Sequence, residues 1–354
     1  MVGARGLDWF RSHPIVCLAI LTPGLPEYLS TSSPLLALVT NPASFAIQLA
    51  INVGQYTAGA LLIREALMRW GKGWGSALAL GLAYGVTEEG LGDNTLFNNR
   101  PSVDGILGAY GHFLGVNWVW ATGVLAFHVI YSIGLPILLL GLALPSTRGR
   151  SLIGARGVVT AFATLALSTG IEMAIVYRTY QFWLGPGLLL ASLAVIALLV
   201  YAAYRLPARF ASPSGDRATL SPAGIGILGF AFFPLGLVLE YGLAPTATPP
   251  ALEIAIELAV FAVIAETVRR GLGRRNHDYL LVHLAFGFVL WQAVFGLLLT
   301  LGLPYTLPLV AVAVLFFLRL RAAYRPASDA RAATIPPGAG GARLVGPSEP
   351  RAPA

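Results

Sequence analysis

Apolar stretches long enough to cross a lipid bilayer recur along most of this chain. A membrane-spanning helix needs about 20 predominantly apolar residues, and a chain inside a bilayer satisfies its backbone hydrogen bonds by folding as helices. We therefore predict an all-α, polytopic transmembrane helical bundle with about ten spans. The spans lie near residues 14–40, 43–63, 74–91, 117–143, 157–177, 184–204, 223–243, 250–268, 280–302 and 305–323.

The composition excludes an ordinary water-soluble domain. Only 11% of the 354 residues are charged and 56% are hydrophobic, whereas a soluble domain carries about 25% charged residues. We predict one transmembrane domain over residues 1–323, with a polar outer loop at 92–116. Residues 324–354 are rich in Pro, Ala, Gly and Arg, a composition that predicts a disordered cytoplasmic tail.

Arginines mark one side of the predicted bundle. The net charge of +7 arises from arginines in every second loop and in the tail, while the loops between them are nearly free of cations. This positive-inside pattern predicts a multipass protein of the cell membrane with both termini in the cytoplasm. The expected partners are the lipid bilayer and a small ion or small molecule; nucleic acid is not expected.

The first predicted span contains helix-breaking residues. Pro23, Gly24 and Pro26 precede Glu27, and proline inside a helix removes a hydrogen bond and kinks the chain. We predict that this span is broken at the Pro/Gly segment.

Ionisable residues at membrane depth are costly and are therefore candidate functional residues. At 1.5 Å per residue, Glu88 lies about 21 Å along the third span and Glu172 about 21 Å along the fifth. The same counting places Glu257 about 9 Å inside the outer end of the eighth span. We predict an outward-opening polar cavity lined by Glu27, Glu88, Glu89, Glu172, Glu257 and His128.

A stripe of small residues directs part of this set into the bundle. Ala77, Gly81, Gly85 and Glu89 recur every four residues, a spacing that lets another helix approach closely. His128, in the fourth span, falls at a depth from which it can reach the same carboxylates. Glu88, Glu89 and His128 are therefore the candidate metal ligands, with Glu88 the candidate catalytic residue and a divalent metal the cofactor that these side chains suggest.

Structural roles are the alternative for the same polar residues. Buried carboxylates and a histidine can simply hold helices together by hydrogen bonds. Glu240 and Glu253 lie near a predicted interface, where we expect their side chains to snorkel towards water. Arg64 with Glu65, at the inner end of the second span, is likewise expected to be interfacial.

Two resemblances accompany these patterns. The stretches LIREALMRWGKGWGSALALGLAYGVTEEG (62–90) and GVNWVWATGVLAFHVIYSIGLPI (115–137) resemble an uncharacterised family of multipass membrane proteins of high-GC bacteria. That resemblance implies a membrane fold and implies that Glu88, Glu89 and His128 belong to one site. It implies no activity.

The order of a glutamate pair followed by His128 also resembles the CPBP group of intramembrane metalloproteases, which includes the CAAX prenyl proteases. The resemblance implies a metal held by glutamate and histidine. The chain departs from that pattern at Asp93, where the family has arginine, and at Val124, where it has phenylalanine. It also has no second intramembrane histidine followed by Asn or Asp.

Three functions remain open at this point. The shared depth of the carboxylates and the predicted broken helix favour a transporter or permease. A CPBP-like intramembrane metalloprotease would use Glu88 as a general base beside a metal. A non-catalytic membrane scaffold would use the same residues only to join helices.

Overall fold

The computed structural model describes residues 9–30, 33, 35–99, 107, 109–213, 215–299 and 306–326. Of the predicted disordered tail, only residues 324–326 are among the described residues. Arg100 and Asp104 of the outer loop also lie outside the described residues.

Helices make up most of the described chain. The first elements are α1 (Pro14–Leu29), α2 (Ala37–Thr40), α3 (Pro42–Trp70), α4 (Trp74–Gly85, continued by a π-helical segment at Val86–Gly92) and a small hairpin of β1 (His112–Phe113) and β2 (Val116–Asn117). They are followed by α5 (Trp118–Ala143), α6 (Ala155–Tyr180), α7 (Pro186–Arg205), α8 (Pro222–Leu243), α9 (Pro250–Gly271), α10 (His277–Leu299) and α11 (Leu307–Tyr324). The all-α prediction is confirmed.

Seven of these helices, α3, α5, α6, α7, α8, α10 and α11, are long and apolar enough to cross a membrane. The chain is therefore an α-helical integral membrane protein. The other three predicted spans coincide with α1, α4 and α9. These helices are shorter or more polar: α1 has 16 residues, and α9 carries Glu253, Glu257 and Glu266.

The first helix continues through the predicted break. Gly24 keeps right-handed helical angles, φ −60° and ψ −37°, and its N–H donates to the carbonyls of Ile20 and Leu21. From Gly24 to Leu29 the helix widens into a π-helical segment, which accommodates Pro23 and Pro26 without an interruption. The helix ends at Leu29, and the short helix α2 follows only at Ala37.

Two hydrophobic clusters divide the bundle, and α1 and α5 belong to both. One cluster combines them with α8, α9, α10 and α11, and the other combines them with α3, α4 and α7. Helix α5 therefore lies between the two halves, and its side chains can face groups from either half.

Glycines bring α4 and α5 together, as the small-residue stripe predicts. A Cβ on Gly81 would lie 3.2 Å from the Cα of Val129, and one on Gly85 would lie 3.3 Å from the Cβ of His128. Side chains larger than hydrogen would push the helices apart at both points. The close approach sets the short distance between the end of α4 and His128.

The pair Arg64 and Glu65 is buried within the bundle, against the turn that follows α5; its position at the membrane interface stays a prediction. Their side chains are 4% and 1% exposed. The Arg64 guanidinium donates to the carbonyls of Thr147 and Arg150, and Glu65 accepts from the backbone N–H of Leu152 at 2.7 Å. These hydrogen bonds hold the turn after α5 against α3. The turn covers this end of α3.

Candidate functional site

Glu88, Glu89 and His128 converge inside the bundle. The Nε2 atom of His128 lies 2.8 Å from Oε1 of Glu89 and 2.9 Å from Oε2 of Glu88. All three residues are buried, and one potential ligand atom from each lies within 4.8 Å of the others. We call these residues the Glu–Glu–His centre.

One carboxylate oxygen in this centre lacks a hydrogen bond. The imidazole Nε2 is paired with Glu89, while Oε2 of Glu88 is buried with no hydrogen-bond partner among the described residues. A ring nitrogen carries at most one proton and cannot serve both carboxylates well. Two carboxylates therefore share one histidine nitrogen, and Oε2 of Glu88 has an ion-pair contact of 2.9 Å but no well-aligned hydrogen bond.

Each residue of the centre comes from a π-helical segment. Glu88 and Glu89 lie in Val86–Gly92, and His128 begins His128–Gly134. Such segments are rare and occur often at functional sites. In an ordinary α-helix, two consecutive side chains point about 100° apart and rarely contact the same partner. The wider π-helical turn lets both Glu88 and Glu89 contact His128.

Polar side chains fix the orientation of the centre. Nδ1 of His128 lies 2.9 Å from Oγ of Ser132, one turn along α5. The hydroxyl of Thr95 donates to Oε2 of Glu89, and the carbonyl of Thr95 in turn accepts from Asn117 at 3.2 Å. Glu89 is consequently held from two sides, whereas Glu88 is held more loosely.

A second set of contacts joins Glu27 to the centre through Tyr56. The phenol donates to Oε1 of Glu27 at 2.5 Å and lies 3.3 Å from Oε1 of Glu88. Ser33 donates to the other oxygen of Glu27 at 2.7 Å, and Asn52 donates to Ser33 at 3.3 Å. Sequence reasoning missed Tyr56; the signal was a polar stripe on α3 at Gln48, Asn52, Gln55 and Tyr56.

A cavity of about 1000 Å³ adjoins the centre. Glu172 reaches its wall from α6, with its carboxylate against Gly92 next to the amide of Gln55. Five of the six predicted cavity residues line this one space: Glu27, Glu88, Glu89, Glu172 and His128.

Glu257 does not line the cavity; it lies next to Glu240, which does. Its Oε1 packs towards Gly236 of α8, on the face that also carries Glu240. Glu240 is 2% exposed and Glu253 and Glu257 are 0% exposed, so the expectation that Glu240 and Glu253 snorkel is wrong. Counting residues along a helix gives the depth of a side chain in the membrane but not the direction in which it points. Helix α5 covers these carboxylates, since Glu240 packs directly on Gly123.

Two polar residues on other helices lie away from the centre. Gln292 on α10 is 0% exposed, and its amide has no hydrogen-bond partner among the described residues. Arg178 is exposed near the end of α6. Neither residue is among those that line the cavity.

In comparisons with known proteins, no family model matches the chain, and no curated protein or solved structure matches it significantly. The class of protein therefore follows from the chain's own residues. It is an α-helical integral membrane protein with a buried Glu–Glu–His centre at the wall of a large internal cavity.

Proposed function

We propose that the Glu–Glu–His centre binds a divalent metal of the zinc type and that the protein is an intramembrane metal-dependent hydrolase. The convergence of two carboxylate oxygens, from Glu88 and Glu89, on the single Nε2 atom of His128 at 2.9 and 2.8 Å is the observation that carries this proposal. Histidine nitrogen and carboxylate oxygen are common zinc ligands, and catalytic zinc sites keep a position open for water or substrate.

The spacing of the donors fits a metal after small side-chain movements. Two ligands bound tetrahedrally at about 2.0–2.1 Å from zinc lie about 3.3 Å apart. The donors here are separated by 2.8 and 2.9 Å, so rotations that move each atom by a few tenths of an ångström suffice. Ser132 supports the fit, because a metal-bound histidine usually has a hydrogen bond at its other ring nitrogen.

The two carboxylates suit different roles. Glu89 is fixed by Thr95 and is the better ligand beside His128. Glu88 lines the cavity and accepts one long hydrogen bond, from Tyr56, besides its contact with His128, so it is the better general base. A bound metal would make water nucleophilic at neutral pH. Glu88 would take the proton as hydroxide adds to an ester or amide carbonyl, and would return it to the leaving group.

The resemblance to CPBP proteases supports this proposal only in part. The glutamate pair followed by His128 supports a related use of metal. Two later histidines, His277 and His283, lie on the described helix α10, and neither lines the cavity; Nδ1 of His283 lies 2.9 Å from the carbonyl of Tyr279. The proposed hydrolase therefore depends more on carboxylates than the CPBP pattern does.

A transporter is the second candidate, and the acidic lining of the cavity favours it. Glu27, Glu172 and Glu240 line the same space as the centre, and carboxylates at membrane depth are the groups that proton- and cation-coupled transporters use. Under either function we propose ten spans in the cell membrane with both termini in the cytoplasm, as the arginine pattern indicates.

Metal analysis of detergent-purified protein tests the hydrolase. We expect near-stoichiometric zinc in the wild type, its loss in Glu89→Gln and His128→Ala, and its retention in Glu88→Gln. Glu257→Gln and His283→Ala are matched controls, since each changes the same residue type outside the centre, and both should keep the metal. Thermal unfolding of the same samples separates loss of a ligand from loss of the fold.

Other outcomes point to the other functions. Absence of metal in a folded wild type refutes the hydrolase. Proton or cation flux in liposomes that Glu88→Gln abolishes would then support the transporter. A scaffold predicts that substitutions in the centre lower the unfolding temperature and that neither metal nor flux is found.

A further inference from the structure

The cavity extends from the centre to the outer surface of the bundle. Ile175 and Tyr180 of α6 line one side of its mouth, and Tyr241 of α8 and Leu299 of α10 line the other. These four side chains are 42–56% exposed. They lie at the helix ends opposite the arginine-rich loops.

The mouth separates two groups of helices. Helix α6 packs on α3 and on the 86–92 segment, whereas α10 packs on α8 and α11. The four exposed side chains belong to α6, α8 and α10, which are all long apolar helices. The mouth therefore lies between helices that a bilayer would surround, near their ends, where an amphiphile in the outer part of a bilayer would enter.

An aromatic wall connects the mouth with His128. The ring of Phe127 lies 5.5 Å from the imidazole and 5.3 Å from Phe233, centroid to centroid. Phe295 and Leu237 line the same space. The volume of about 1000 Å³ far exceeds what an ion needs, since one water takes about 30 Å³. An apolar chain is the occupant that this wall suits.

The polar part of the lining is acidic. Six carboxylates contribute to it: Glu27, Glu88, Glu89, Asp93, Glu172 and Glu240. Among the described lining residues, His128 is the one side chain that can carry a positive charge. A divalent metal balances two negative charges, so the cavity still disfavours an anionic head group. Aromatic faces in the wall attract ammonium groups as well.

We infer that the cavity takes up a cationic amphiphile from the bilayer, an amine whose apolar chain lies along the Phe127–Phe233 wall and whose head group meets the carboxylates. This inference names the substrate class of the proposed hydrolase. Only the hydrolysis of a bond near the head group rests on that proposed function. Binding itself requires the cavity and its charge, not the metal.

Amphiphiles with equal chains test it in phosphatidylcholine nanodiscs. Dodecylamine, dodecanol and dodecanoate are added at equal bilayer mole fraction, and the unfolding temperature of the protein is measured. A ligand that binds only the folded state raises this temperature. We expect a concentration-dependent rise with dodecylamine and at least about tenfold weaker effects with the other two probes, a difference of about 1.4 kcal/mol.

Three variants locate the binding. Leu237→Trp fills the cavity and should abolish the dodecylamine effect, whereas Leu235→Trp, on the lipid-exposed side of the same helix, should leave it intact. Glu240→Gln should weaken the effect, because it removes one carboxylate outside the Glu–Glu–His centre. Equal effects of the three probes, or a full dodecylamine effect in Leu237→Trp, would overturn the inference.

Zinc content measured on the same samples separates the two ideas. Zinc with no preference for the amine overturns this inference and leaves the proposed hydrolase standing. A preference for the amine without zinc overturns the hydrolase and leaves the cationic amphiphile as the ligand of the cavity.

Discussion

Replacing Gly85 by alanine should disturb both the packing of α4 on α5 and the centre between them. The new Cβ would lie 2.8 Å from Cδ2 of Leu125 and 3.3 Å from Cβ of His128, where ordinary carbon contacts are about 3.5–4.0 Å. Relief requires movements of roughly 0.2–0.7 Å by atoms of α5. Overpacking of this kind costs about 1–3 kcal/mol, while the change from glycine favours the helix by up to about 1 kcal/mol.

We therefore expect Gly85→Ala to lower the free energy of unfolding by up to about 2 kcal/mol. Zinc affinity should fall by about tenfold or more, because metal sites tolerate only about 0.2 Å in ligand position. Unfolding is followed by circular dichroism as sodium dodecyl sulfate is added to dodecyl maltoside micelles, and zinc is titrated separately.

Gly170→Ala is the matched control for this substitution. Gly170 lies inside α6, and a Cβ there would meet nothing within 4 Å. It should stabilise the protein by about 0.5–1 kcal/mol and leave zinc binding unchanged. If Gly85→Ala stabilised the protein as Gly170→Ala does, with unchanged zinc affinity, the close packing of α4 on α5 would not control the centre.

Three other predictions concern separate parts of the molecule. Arg64→Ala should cost about 3–5 kcal/mol, because it removes the buried guanidinium that pairs with Glu65 and donates to two carbonyls, while Arg69→Ala, at an exposed side chain 3.5 Å from the same carboxylate, should cost at most about 1 kcal/mol; thermal unfolding compares them. Ser132→Ala should weaken zinc binding by about 10- to 100-fold with little change in unfolding temperature, and an unaltered affinity would remove Ser132 from the support of the centre. In a background without the native cysteine, Thr246→Cys should react with an impermeant maleimide added outside cells and Arg209→Cys should not; the reverse labelling would invert the proposed topology.

Helix positions were predictable from the sequence because apolar length alone decides them. Residues 157–177 and 223–243 fall inside α6 and α8, whose observed bounds differ by only a few residues. The first span was harder, since Pro23 and Gly24 suggest a break that a π-helical turn avoids. The local sequence does not show whether the chain breaks or forms a π-helical turn at this point, because the outcome depends on the residues that pack around it.

The centre was predictable in its residues but not in its arrangement. Depth counting selected Glu88, Glu89 and His128 correctly as neighbours, because axial rise along a helix is constant. Glu257 is not among the residues that line the cavity, because rotation about the helix axis, which axial counting does not give, depends on packing. Tyr56 was missed, since a tyrosine in an apolar helix resembles a packing residue until its hydroxyl partners are known.

The position of the centre along the chain bears on how the protein is made. Helix α4 leaves the ribosome with two adjacent carboxylates, and an acidic residue near the middle of a helix costs about 2.5–3.5 kcal/mol during insertion by the translocon. The compensating histidine follows 39 residues later, on α5. Helix α4 should therefore insert poorly alone and enter the bilayer together with α5, so that substitution of His128 reduces the yield of correctly inserted chains before any finished protein is tested.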